Sequence, residues 1–407
     1  RGAPVPAQPG WPMGTKPLSG IRVLDLTNVL AGPYCCYQLA LMGAEVIKVE
    51  RPGTGDLARQ LGADPDRNAA LMGVSFLAQN AQKKSVTLNM KTEQGKALLR
   101  RLVRTSDVLV ENFRPGVMAR LGLEYDALRC ENPNLIYCAI SGFGQDGPWK
   151  DNPAYDQIVQ GVSGVMSVTG DDSSAPLRVG YPLADTVGGM TAAFAISTAL
   201  NDPERGGFLD ISMTEAVISS MGWVVSNHLI ARQRPAAHGN ENTTSAPSGT
   251  FACADGPINV AANRDEQWQS MAQHLGRGDL LAHPDYATRE DRKRNRHMLR
   301  AELEEVLRRR PAADWVEELN ALGVPAGPVL TVSQILREPQ VRNRGLVAEV
   351  ETHDGVLALT GSPLRFGAFR PVPETAPPAL GADNDQIWSD LGLSADEIET
   401  LRQEHVI

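Results

Sequence analysis

An aspartate, Asp185, stands in the run YPLADTVGGM, just ahead of a stretch of small apolar residues that reads as a helix. The plain reading of such a residue is an N-cap, its oxygens accepting from the free N–H groups of the first turn. The same place suits a nucleophile. A helix start favours the ionised carboxylate, and at an ordinary pKa of ~3.9 an aspartate needs no partner base to attack a carbonyl carbon. Gly188 and Gly189 leave room beside it and offer backbone N–H groups for an oxyanion. All seven histidines lie at 228 or later, so a Ser–His or Cys–His nucleophile built within the region around Asp185 is excluded. No GxSxG, HExxH or GxxxxGK[ST] occurs either, which speaks against hydrolase, zincin and NTP-driven chemistry.

The cations that could hold an anionic substrate are scattered. Arg51 follows a strand in the Gly-rich turn ERPGTGD, Lys91 follows LNM, and Arg114 and Arg120 flank Pro115-Gly116. Singly each is a solvated surface charge; a parallel sheet would bring their loops to one edge. The run Arg289–Arg300 mixes signs and reads as an exposed helix face, and His238-Gly239-Asn240 as a linker or a lid.

These groups need elements to position them. Residues 21–26, 46–50, 85–89, 107–111 and 135–140 read as strands, and 92–105 as a helix between two of them. The first strand, a helix with Pro33 in its first turn and Gly43 at its stop, and the second strand make a βαβ unit of about 30 residues. The fold class is therefore α/β, with a Rossmann-like large domain, although GxGxxG is missing after the first strand. Residues 186–200 read as one helix, 209–232 as a short strand and a long helix, 347–370 as strands and 386–405 as a single terminal helix. The composition turns polar at 233–249. The boundaries expected are 1–16 as a tail, 17–232 as the first part of the large domain, 233–326 as a linker and a smaller α+β domain, and 327–407 as the return to the large domain. Met13 is a candidate start within the tail.

Length and a hydrophobic content of 42% allow a large core, and a net charge of −9 makes general nucleic-acid binding a poor expectation. Five cysteines without CxxC spacing read as a reduced intracellular protein with no zinc site. No apolar run of ~18–20 residues predicts a membrane span. A cytoplasmic enzyme is expected, with the mitochondrial matrix as the alternative.

Several segments in order resemble the class III CoA-transferase family, to which formyl-CoA transferase and carnitine CoA-transferase belong. They are PLSGIRVLDLTNVLAGP at 17–33, GAEVIKVERPGTGD at 43–56, NMKTEQGK at 89–96, ENFRPG at 111–116, the surroundings of Asp185, GVPAGPV at 323–329, and the late GSPLRF and APPALG. The resemblance runs from about Pro17 to the C-terminus. It implies ring-shaped subunits interlocked as a homodimer, with acyl-CoA and a small carboxylic acid as substrates and no permanently bound cofactor. It implies Asp185 as the nucleophile that carries CoA as an aspartyl thioester. It implies CoA contacts at Arg51, Leu88, Lys91, Asn112, Phe113 and Arg120. Two positions depart from formyl-CoA transferase: the glutamine of its VQAGP loop is Leu30 here, and its Lys-Gly-Tyr loop is Ser141-Gly142-Phe143. With Tyr155 and residues 238–241 they are the first positions expected to choose the acid, among small dicarboxylates with succinyl-CoA as donor.

Two rivals are weighed against this. A racemase of the same fold resembles the chain but wants a His-Asp pair where PAYDQIVQG places Tyr155 and Asp156, and a phenol of pKa ~10 is a poor base beside a thioester. A non-catalytic CoA-binding protein would keep only the capping role of Asp185.

Overall fold

The computed structural model describes residues 16–407, so the expectations for the tail, all but its last residue, Lys16, and for Met13 lie outside the described residues. Six strands form one parallel sheet: β1 (Arg22–Asp25), β2 (Glu45–Glu50), β3 (Lys83–Thr87), β4 (Val108–Glu111), β5 (Ile136–Ser141) and β6 (Gly207–Ser212). Their order is β3-β2-β1-β4-β5-β6. The register runs Leu24 beside Ile47 and Leu109, then Leu109 beside Tyr137. Strands buried on both faces read as apolar runs, and β1, β4 and β5 do, whereas β3 reads KKSVT and β6 alternates exposed with less exposed residues; Leu24, Ile47, Val86 and Leu109 join one core. The chain steps to one side from β1 through β3 and then returns to β4 on the other side. Ligands of such sheets bind in the crevice at the carboxyl ends of the two strands where the order reverses, here β1 and β4.

Helix α1 (Ala31–Leu41) follows β1, α2 (Glu93–Arg104) follows β3 with Thr92 as its side-chain cap, and α3 (Val117–Leu121) follows β4. After β5 come α4 (Asp156–Val162) and the long α5 (Leu183–Ala199). The long helix expected after β6 is two, α6 (Met213–Ser220) and α7 (Trp223–Ala231). Gly222 breaks it at φ +49°, a left-handed value that glycine takes without strain.

The described chain falls into two compact units. One comprises residues up to 165, 178–231 and 342–407, and the other 166–177 and 232–341. The second holds a three-stranded sheet of β7 (Ser248–Ala252), β8 (Pro257–Ala261) and β9 (Ala326–Pro328). Helices α8 (Asp265–His274), α9 (Arg296–Leu307) and α10 (Ala312–Ala321) give that unit its own core around Trp268, Leu303 and Trp315. Returning to the first unit, β10 (Val347–Thr352) and β11 (Gly355–Thr360) form a hairpin. The single terminal helix expected is again two, α11 (Asn384–Asp390) and α12 (Ala395–Gln403), separated at Gly392 with φ +86°. Trp388 of α11 is fully buried against the main sheet, and Asp383 and Asn384 accept from the N–H groups of Ser85 and Thr87, which pins the chain's end to β3. Among the described residues no helix is long and apolar enough to cross a membrane.

Candidate active site

Asp185 is the third residue of α5, one turn inside the position a capping reading requires. Pro182 occupies the cap position and makes no side-chain cap bond. The cap comes from elsewhere: Asp156, the first residue of α4, accepts the Ala184 N–H through Oδ1 at 2.8 Å. Oδ2 of Asp156 accepts from Gln160 Nε2 at 2.8 Å and from Arg178 Nη2 at 3.0 Å. Gln160, fully buried, also accepts the Val179 N–H at 2.9 Å and donates to the Tyr181 carbonyl at 3.1 Å. Three side chains thus fix the extended approach, 178–184, that delivers Asp185.

Relieved of capping, the Asp185 carboxylate has no hydrogen-bond partner among the described residues. Burial raises its pKa from the ordinary carboxylate value to about 7, the nearby Asp156 charge adds to the rise, and Arg178 opposes it. The sequence suggests an ordinary aspartate; in the fold, burial holds its carboxyl well above the usual carboxylate range.

Gly188 and Gly189 have another task. Both lie in the body of α5, so their N–H groups face carbonyls four residues back, as in any helix interior. A Cβ at Gly189 would stand 2.4 Å from the Ala31 carbonyl oxygen, and one at Gly188 2.8 Å from Met213 Cγ. The pair lets α5 lie directly against α1 and α6. Free donors occur instead at the start of α1, where Leu30 holds the cap position without a side-chain cap bond. The N–H groups of Leu30, Ala31 and Gly32 have no acceptor among the described residues, as befits a helix's first turn. Since Gly189 abuts Ala31, this start lies about one helical turn, roughly 6 Å of rise, along α5 from Asp185.

Five of the six residues expected to hold CoA converge. Arg51, Leu88, Lys91, Phe113 and Arg120 line one open cavity of about 450 Å³ at the carboxyl ends of β1 to β4. Leu26, Val49, Met90 and Leu121 supply apolar wall. Arg51, Lys91 and Arg120 are exposed and form no ion pair among the described residues, so three uncompensated cations stand over an apolar floor. That is a receptacle for a ligand with several negative charges and an apolar body. The sixth, Asn112, is absent from the lining. Its carboxamide is committed to backbone: Oδ1 accepts the Asn28 N–H and Nδ2 donates to the Asn28 carbonyl, both at 2.8 Å.

The remaining expected positions are dispersed. Phe143 packs edge-on against Trp149, with ring centroids 5.6 Å apart. Tyr155 is exposed and precedes α4. His238, Gly239 and Asn240 are exposed residues of the second unit, where the Gly239 N–H donates to the Gly170 carbonyl at 2.6 Å. Gln160 and Arg178 escape a reading of the sequence, and Asp156 enters it only as the place of a racemase's acid, not as the cap of α5. Their only trace is an acid and an amide four apart on one helix face, a spacing too common to stand out.

Comparison with known proteins gives a consistent result. The model of CoA-transferase family III matches residues 18–384. The succinate–glutarate CoA-transferase of Agrobacterium fabrum is 36% identical over 93% of this chain and 97% of its own length. The human succinyl-CoA:glutarate CoA-transferase is 33% identical over 92% of this chain and 86% of its own. Among solved structures, a CAIB/BAIF family protein from Brucella suis superposes with a TM-score of 0.82 at 33% identity, covering 93% of this chain and all of that one.

Proposed function

The chain belongs to CoA-transferase family III and is an enzyme that transfers CoA, and from that premise we propose that CoA passes between two carboxylic acids by way of Asp185. The single observation that carries this reading is the state of that carboxylate: half-buried, without a hydrogen-bond donor and raised to about 7. A more basic carboxylate is a better nucleophile, and at 7 a usable fraction is still ionised.

The exchange needs no outside energy source. Asp185 attacks the thioester carbonyl of the donor; the C–S bond breaks, the thiolate leaves and an acyl–aspartyl anhydride forms. The thiolate attacks the aspartyl carbonyl, releasing the donor acid as its carboxylate and leaving an aspartyl-CoA thioester. The acceptor carboxylate attacks that thioester, giving a second anhydride and freeing the thiolate again. The thiolate then attacks the acceptor's acyl carbon, forming the new acyl-CoA and restoring the Asp185 carboxylate. Each tetrahedral oxyanion needs donors, and the free amides of Leu30, Ala31 and Gly32 support that role better than the helix-bound amides of Gly188 and Gly189. Arg51, Lys91 and Arg120 hold the phosphates of CoA, and Leu88 and Phe113 its apolar parts.

Relatives named for succinyl-CoA with glutarate or with mesaconate favour succinyl-CoA as the donor and a small dicarboxylate as the acceptor. The enzyme works as a homodimer, a reading supported by α7, an apolar helix with none of its residues buried.

The test is chemical. Incubation with succinyl-CoA followed by hydroxylamine should convert Asp185 to its hydroxamate, read by peptide mass spectrometry. Asp185→Asn should abolish both trapping and exchange, a loss on the order of 10⁴-fold or more. Exchange surviving in that variant overturns the reading.

A further inference from the structure

The turn between β1 and α1 is held in a conformation its sequence does not favour. Val29 has φ +67°, a left-handed value costly to a β-branched side chain. Such a residue persists only where the surroundings impose it. Here they do so from both sides of β1. From β4, the Asn112 carboxamide grips the backbone N–H and carbonyl of Asn28. From the loop after β2, Asp56 Oδ1 accepts the Val29 N–H at 2.9 Å, while its other oxygen lies 2.9 Å from the buried Lys48 ammonium. Lys48 in turn donates to the Thr27 carbonyl at 2.9 Å.

What this turn delivers is the start of α1. Leu30 follows Val29 directly, and Ala31 abuts Gly189 of α5, four residues beyond Asp185. Asn28 and Asp56 also line the CoA cavity, as does Phe113, the neighbour of Asn112. One set of ties therefore joins the wall of the CoA cavity to the helix start that faces the nucleophile's helix. We infer that Asn112 is a positioning residue: with Asp56 it imposes the left-handed turn at Val29, and so fixes Leu30 and the first turn of α1 against the helix carrying Asp185. This departs from the direct CoA contact that the resemblance implies for Asn112. It rests on the proposed role of Asp185.

If the ties exist to impose an unfavourable turn, a residue that takes the turn freely should make them dispensable. The experiment uses the full chain with succinyl-CoA and glutarate. It measures the single-turnover rate of Asp185 acylation, the KM for succinyl-CoA, and folding by circular dichroism. Asn112→Ala should slow acylation by about 10- to 100-fold, the scale of a misplaced reacting group, with little change in KM. Adding Val29→Gly should restore most of the rate, because glycine adopts positive φ without strain. A rise in KM with an unchanged rate would make Asn112 a CoA ligand and overturn the inference, as would a double variant no faster than Asn112→Ala. Should Asn112→Ala fail to fold, Asn112→Asp keeps the acceptor for the Asn28 N–H but sets a carboxylate oxygen against the Asn28 carbonyl. It should show the same slow acylation and the same rescue, and a wild-type rate overturns the inference. Failure of the wild-type enzyme to acylate Asp185 at all is a separate result, and sinks the proposed function instead.

Discussion

The environment of Asp185 makes two curves depend on pH in opposite senses. Its pKa rises from 3.8 to about 7, chiefly through burial and then through the charge of Asp156. Between those values the folded chain holds a proton that the unfolded chain has lost, so this group's contribution to stability is full below pH 4 and fades as pH climbs through 7. Asp185→Asn, which never ionises, should therefore gain on the wild type across that window and level off above it. The expected gain is on the order of 1–3 kcal/mol, read as urea unfolding at pH 4, 6 and 8. Activity runs the other way. The nucleophile must be ionised, so kcat/KM should rise with an apparent pKa near 7. Asp156→Asn removes the like charge and keeps the acceptor for the Ala184 N–H, so the limb should move to lower pH. Arg178→Met should move it higher. A limb that stays in place in both variants would mean that another group is titrating. None of this could be read from YPLADTVGGM. The run that holds Asp185 is local, but the environment of its carboxyl comes from α4 and from Arg178, and only the folded chain brings them together.

At the scale of elements, the middle of the main sheet was legible because the buried strands β1, β4 and β5 betray themselves as apolar runs, and Thr92 announces the helix after β3. The helix breaks at Gly222 and Gly392 were not, since a glycine inside a helical pattern says nothing of its φ until the neighbours are placed. Nor was the use of Gly188 and Gly189, which is set by what lies across from them. The cavity at the carboxyl ends of β1 to β4, proposed above to take CoA, was legible in part: Arg51, Lys91 and Arg120 follow strands whose parallel order brings their loops together. What the sequence hides is the buried support beneath it. Glu50, at the end of β2, lines the cavity yet receives Arg59 through two bonds, Nε to Oε2 at 2.7 Å and Nη2 to Oε1 at 2.8 Å. Both side chains are buried, and the guanidinium lies 3.7 Å over the Phe76 ring. Breaking such a pair leaves an uncompensated charge inside, so Arg59→Met should cost about 3–5 kcal/mol in denaturant unfolding. It should also raise the KM for acyl-CoA, because the freed Glu50 carboxylate would face the phosphates. A loss under about 1 kcal/mol, the range of an exposed pair, would show the bridge to be ornamental to the fold.

At the scale of the whole molecule, the surface of the first unit carries more apolar area than a monomer should show. Ile230 is 83% exposed and Phe194 74%, with Tyr155, Trp223 and Leu229 each above half. Helix α7 reads WVVSNHLIA, with Trp223, Val224, Val225, Leu229, Ile230 and Ala231 apolar and none of them buried, and apolar side chains in such number call for a cover. Tyr155 and Phe194 sit on the approach to α4 and on α5, the elements that position Asp185, so part of the exposed apolar surface lies on the helix that carries Asp185. A second copy of the chain answers this most simply, because closed two-fold pairs are the commonest assemblies. Sedimentation or light scattering should give twice the 43.8 kDa of the chain at micromolar concentration. Replacing both Leu229 and Ile230 with Glu should shift the population toward the monomer, since charges at the centre of an apolar interface are left unpaired on burial. If covering this surface completes the burial that raises Asp185, the monomer should also lose exchange activity and show a lower apparent pKa for acylation. A chain that runs as a monomer at those concentrations with full activity would refute the assembly, and would leave α7 in want of another partner.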